Sequence, residues 1–94
     1  MAWKIEFDDD ATKDLEKLQK KEQKKILNFI HRINNYPTPR LFGKPLKGSL
    51  GGLWRYRVGD YRIICKIEDS LLIILVVAVG HRKNIYNASL KKSH

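Results

Sequence analysis

Ninety-four residues are enough for one hydrophobic core and too few for two, and 43% apolar with 10% aromatic residues excludes a disordered chain, so a single domain over 1–94 is expected. The formal charge of +9 is unevenly divided: five bases against seven acids over residues 1–22 give −2, and fourteen bases against three acids over residues 23–94 give +11. Such a field suits a polyanionic partner, while the lone Cys65 excludes an internal disulfide or a thiol-based metal cluster.

The start of the chain, Met1–Glu6, lacks the unbroken apolar stretch of a signal peptide, and the longest apolar run, Leu71–Val79, is about half a membrane span, so a cytoplasmic protein off the membrane is expected. Trp3, Ile5 and Phe7 alternate with Lys4 and Glu6, which predicts a strand with one buried face. One of Asp8, Asp9 and Asp10 then caps a helix; three consecutive carboxylates diverge and make a poor Mg²⁺ site, so no metal is expected. Ala11, Leu15 and Leu18, followed after a polar break by Ile26, Phe29, Ile30 and Ile33, predict an antiparallel helix pair. The lysines of 17–25 fall on its water-facing side and read as a solubilising face. His31, mid-helix, and His94, at the terminus, look incidental.

Pro37 ends the second helix, and three prolines and four glycines between Pro37 and Gly52 predict a loop that carries Arg40, Lys44 and Lys47 and no acid. Gly59-Asp60 predicts a two-residue hairpin turn with positive φ at the glycine. That turn fixes the register, setting Val58 opposite Tyr61, Arg57 opposite Arg62, Tyr56 opposite Ile63, Arg55 opposite Ile64 and Trp54 opposite Cys65. Trp54, Tyr56, Ile63 and Cys65 then share the core face, and Arg55, Arg57 and Arg62 the other. A turn at Glu68-Asp69-Ser70 leads into Leu71–Val79, a central strand buried on both faces. Beyond it lie Gly80-His81-Arg82-Lys83-Asn84-Ile85-Tyr86 and a short helix over Asn87–His94.

Like charges opposite one another destabilise a ladder, so Arg57 facing Arg62 is a poor choice for stability alone. With three acids beyond residue 22, the arginine face reads as an anion site. His81 and Arg82 leave the central strand where both can aim at that patch. For His81 a proton-transfer role and a structural one stay open, as do base stacking and ordinary packing for Tyr86. No GxxxxGK[ST] or GxGxxG phosphate cradle occurs.

The segment Leu46-Lys47-Gly48, the hairpin Trp54-Arg55-Tyr56-Arg57-Val58-Gly59-Asp60-Tyr61-Arg62-Ile63-Ile64 and the ending Val79-Gly80-His81-Arg82 with Ile85-Tyr86, behind a helix pair, resemble the RelE/ParE superfamily of bacterial toxins, from about residue 2 to about residue 90. The resemblance implies an α+β chain of order β-α-α-β-β-β, two N-terminal helices packed on a small, mainly antiparallel four-stranded sheet. It implies a cognate RelB-like antitoxin whose acidic amphipathic segment covers the basic face, and contact with operator DNA only through that antitoxin. RelE-type members cut messenger RNA in the ribosomal A site, whereas ParE-type members inhibit DNA gyrase.

Carried over by position, Arg62 matches the arginine at the scissile phosphate, Arg82 the second catalytic arginine, Tyr86 the C-terminal tyrosine, and Arg55 a lysine of the active patch. A further lysine falls at Leu53 here, for which Lys47 or His81 would have to substitute as proton acceptor. Lys44, Lys47, Arg57 and Lys83 are expected to bind RNA. No cofactor is expected, because the RNA 2′-OH is itself the nucleophile. The expected function is therefore the toxin of a type II toxin–antitoxin system acting as a ribosome-dependent mRNA endonuclease. The alternatives are a ParE-like gyrase inhibitor and a non-catalytic relic that binds antitoxin and operator DNA. Retention of Arg62, Arg82 and Tyr86 favours the nuclease.

Overall fold

The N-terminal alternation builds strand β1 (Lys4–Phe7), and the chain turns directly into helix α1 (Asp9–Glu16). The computed structural model describes residues 3–83. Tyr86 and the expected helix over Asn87–His94 lie outside the described residues. Of the three aspartates, Asp8 is the cap: its carboxylate accepts from the Ala11 N–H at 2.8 Å, while Asp9 and Asp10 occupy the first turn near the positive end of the helix dipole. Burial raises the Asp8 pKa even though that hydrogen bond opposes the shift. Helix α2 (Lys20–Ile33) follows after three residues and buries Ile26, Ile30 and Ile33. Among the described residues no helix is long and apolar enough to cross a membrane.

The proline- and glycine-rich segment is held at several points. Lys44–Pro45 forms a two-residue strand, β2, that pairs antiparallel with β3 (Leu53–Val58), so the sheet has five strands where four were expected. A proline is tolerated there because β2 is an edge. The Tyr56 hydroxyl donates to the Pro39 carbonyl and the Trp54 indole N–H to that of Phe42, at 2.8 Å for the latter. Arg40 forms a bidentate pair with Asp69 at 2.7 and 2.9 Å, which holds the Asp69 carboxyl below the usual carboxylate range. Gly43, at φ 84°, lies so close to β3 that an added Cβ would overlap the Arg55 carbonyl oxygen.

Strand β4 (Tyr61–Glu68) completes the hairpin in the expected register at all five pairs, with positive φ at Gly59. Strand β5 runs from Ile73 to His81, two residues later than the apolar run suggests. Asp69–Leu71 forms a 3-10 turn and Leu72 enters the left-handed region at φ 54°, which leaves Leu71 exposed. The sheet order is β1-β5-β4-β3-β2, with β1 parallel to β5 and the other pairs antiparallel. Strand β5 is an interior strand between β1 and β4, in keeping with its apolar composition, while β4 holds the middle of the sheet.

A β-bulge interrupts the β4–β5 ladder: Ile64 pairs with Ala78 but Cys65 pairs with Val76, leaving Val77 over. Ile74, Val76 and Val79 therefore join the core under the helices, with Tyr56, Ile63 and Cys65. Ile64, Val77 and Ala78 form a second, smaller cluster with Leu46, Leu50, Leu53 and Leu75 on the opposite face. Trp54 is half-buried at the edge of the main core, with Arg40 stacked 5.9 Å from its ring centre, rather than inside it.

Candidate nucleic-acid interface

The hairpin register sets Arg55, Arg57 and Arg62 on the face of the sheet away from the helices. Lys44 stands directly opposite Arg55 across the β2–β3 pair and extends this row to the sheet edge. Arg57 is exposed, and Arg55 and Arg62 are half-buried. The Arg62 guanidinium folds back to donate to the carbonyls of Tyr61 (3.2 Å) and Gly59 (3.4 Å). Gly80 lies opposite Arg62 on β5, so the position directly across from it carries no side chain.

The same turn receives Arg82. Its backbone N–H donates to the Asp60 carbonyl at 2.8 Å, and its Nε lies 4.0 Å from an Asp60 carboxylate oxygen. Residues twenty positions apart in the chain are thus gathered at one two-residue turn, Arg62 through Gly59 and Arg82 through Asp60. Asp14 supports this arrangement from α1. Beyond Val76 strand β5 has no partner from β1, and the Asp14 carboxylate accepts the Val79 N–H at 3.1 Å, one residue before Gly80. Sequence reasoning missed Asp14, since nothing local marks a partner 65 residues away.

His81 does not join the arginines. The bulge shifts the phase of β5, so His81 lies opposite Tyr61 on the helix side, ring edge to face at 5.8 Å, and its Nδ1 accepts from the Lys83 N–H at 3.3 Å. Lys83 is exposed just after Arg82, and Lys47 is exposed at the start of the 3-10 turn Gly48–Leu50. Leu53, where the family resemblance would set a lysine, belongs to the small apolar cluster. At the edge of the arginine row Phe29, Phe42, Lys44, Arg55, Tyr56 and Arg57 line a concavity of about 270 Å³, an aromatic floor with a cationic rim. Rings beneath guanidinium and ammonium groups suit a nucleobase and its phosphate.

A family model described as the ParE toxin of the type II toxin–antitoxin system parDE matches residues 5–86. The chain belongs to the RelE/ParE superfamily of toxins. Within the superfamily it is similar to RelE-branch proteins. It is 30% identical over 86 residues to Toxin RelG of Mycobacterium tuberculosis, covering 92% of this chain and 98% of the relative. It is 32% identical over 78 residues to Toxin RelE of the same organism, covering 81% and 77%. The toxin–antitoxin complex RelBE2 of M. tuberculosis superposes with a TM-score of 0.80 at 27% identity, covering 89% of this chain and 95% of that one. The RelB–RelE antitoxin–toxin complex of Methanococcus jannaschii superposes with a TM-score of 0.69 at 30% identity, covering 87% and 95%. This RelE/ParE chain is accordingly the toxin component of a type II toxin–antitoxin system.

Proposed function

We propose that this toxin cleaves messenger RNA on the ribosome and that an antitoxin silences it by covering the arginine face. The observation that carries the reading is the meeting of Arg62 and Arg82 at the Gly59–Asp60 turn, beside Arg55 and Arg57. In the reaction the 2′-OH oxygen attacks the adjacent phosphorus, the P–O5′ bond breaks, and a 2′,3′-cyclic phosphate and a 5′-OH result. Negative charge grows first on the phosphoryl oxygens and then on the departing 5′-oxygen. Arg62 and Arg55 stabilise the former and Arg82 the latter, each as a fixed cation that keeps its proton.

Tyr86 stacks on a base in this reading, and Lys44, Lys47, Arg57 and Lys83 hold the flanking phosphates. His81, on the other side of the sheet, is left out of the chemistry, and Leu53 offers no proton acceptor, so the 2′-OH proton passes to solvent and the departing 5′-oxygen takes a proton from solvent. Much of the rate then comes from the ribosome holding the message in line. The antitoxin reading is supported by the similar M. tuberculosis RelBE2 and M. jannaschii RelB–RelE toxin–antitoxin complexes.

The match to a ParE model favours one other reading, inhibition of DNA gyrase. Two assays on the purified protein separate them: primer extension on a message under translation, and supercoiling by gyrase. Stops within translated codons with unimpaired supercoiling are expected. Blocked supercoiling with an intact message would replace the nuclease by the inhibitor.

A further inference from the structure

The lysines that read as a solubilising face in the sequence do not all simply face water. On the helix side of the sheet, behind the arginine face, two concavities meet at Lys25 and Val58. One, of about 500 Å³, lies between Lys17, Glu22 and Lys25 on one wall and Asp60, Tyr61 and His81 on the other. The second, of about 460 Å³, is lined by Lys25, Asn28, Arg32 and Val58. Together they form a groove between α2 and the tip of the β3–β4 hairpin.

Lys21, Lys25, Asn28 and Arg32 recur at intervals of four, three and four residues, so they stand in one row along α2, spanning about 16 Å at 1.5 Å per residue. Lys17, Lys20, Lys21, Lys24, Lys25 and Arg32 are all exposed, and none forms an ion pair among the described residues. Two acids border the groove, Glu22 and Asp60, and the Asp60 carboxylate lies 4.0 Å from Arg82.

We infer that this groove binds the phosphate backbone of an RNA other than the strand being cut. The inference rests on the nuclease reading above, because an RNA lying here is separated from Arg62 by the thickness of the sheet and cannot be the scissile strand. Lys25 and Arg32, neither in an ion pair among the described residues, line the groove on the same face of α2 and match a run of backbone phosphates, with Asn28 between them as a neutral donor. An acidic protein segment is the poorer match, because Val58 and Leu18 are the only aliphatic side chains lining the two concavities and a peptide would find little to anchor it. The edge-to-face Tyr61–His81 pair closes the end of the groove nearest the turn that gathers Arg62 and Arg82. An RNA in the groove would thus orient the whole toxin, with the arginine face directed at the message.

The test is binding of the full-length protein to a short RNA duplex across a salt series, with Lys25→Gln/Arg32→Gln compared against Lys4→Gln/Lys13→Gln, a pair that removes the same charge elsewhere. Loss of two phosphate contacts should reduce the slope of log K against log salt by roughly 1.4–1.8 for the groove pair and leave it near wild type for the control pair. Equal losses for both pairs, or an unchanged slope for the groove pair, would overturn the inference by leaving only net charge at work. Polyglutamate, tested in parallel, should bind both pairs alike; selective loss with the groove pair would reassign the groove to an acidic protein. Duplex binding is read without cleavage, so a wild-type protein that binds through the groove yet cuts no translated message would refute the nuclease and spare the groove.

Discussion

Arg62 resolves the conflict that the sequence poses at the hairpin. A side chain facing another arginine donates to the carbonyls of its own turn, whose dipoles offset part of the like-charge repulsion. Because that contact belongs to the turn, loss of the guanidinium should leave the sheet in place. Asp14 has the opposite profile, since its carboxylate satisfies the Val79 N–H at the position where β1 stops pairing. Asp14→Ala should cost about 1.5–3 kcal/mol in denaturant unfolding, the range for a hydrogen bond to a charged group whose partner is left unpaired. It should also weaken cleavage, because Gly80 to Arg82 hang on that end of β5. His81 makes a kinetic forecast. With its ring across the sheet from Arg62, His81→Gln should slow cleavage of a translated message far less than Arg62→Ala does. A loss equal to that of Arg62→Ala would return His81 to the chemistry.

At the scale of elements, the hairpin was legible in the sequence and strand β5 only partly so. Gly59-Asp60 permits one tight turn, and a tight turn dictates every pair behind it, so the sequence alone places Arg55, Arg57 and Arg62 on one face. In Ile73–Val79 every residue is apolar, so no alternation reveals where the phase slips, and the bulge at Val77 that sends His81 to the helix side left no signal. Strand β2 was hidden for another reason: two residues with a proline carry no periodicity, and their pairing depends on Gly43 approaching the Arg55 carbonyl. The loop before β3 works as a strap, held by the Tyr56 hydroxyl on Pro39, the Trp54 indole on Phe42 and the Arg40–Asp69 pair. Tyr56→Phe removes the first of these and leaves the ring in the core. It should lower stability by about 0.5–1.5 kcal/mol in thermal or urea unfolding, and a larger loss would mean that the strap and the sheet unfold together.

At the scale of the molecule, the sheet divides the charge into two surfaces, the arginine face and the groove along α2, with acids concentrated at the N-terminal end of the chain. An acidic antitoxin segment seated on the arginine face would be drawn in over a distance set by screening, about 10 Å at ~0.1 M salt. Stopped-flow association should therefore slow steeply as salt rises, while dissociation changes little. Arg55→Ala/Arg57→Ala should slow association and flatten its salt dependence. An association rate indifferent to both would assign neutralisation to apolar contacts instead.

If fixed cations on this face assist the 2′-OH of the message to displace the next nucleotide, the ends of the cut RNA will show it. Messages recovered from a translation reaction with the wild-type protein should carry 2′,3′-cyclic phosphates and 5′-OH ends at new breaks, and those ends should vanish with Arg62→Ala at unchanged melting temperature. Breaks bearing 5′-phosphates, or cyclic-phosphate ends produced equally well by Arg62→Ala, would contradict the account.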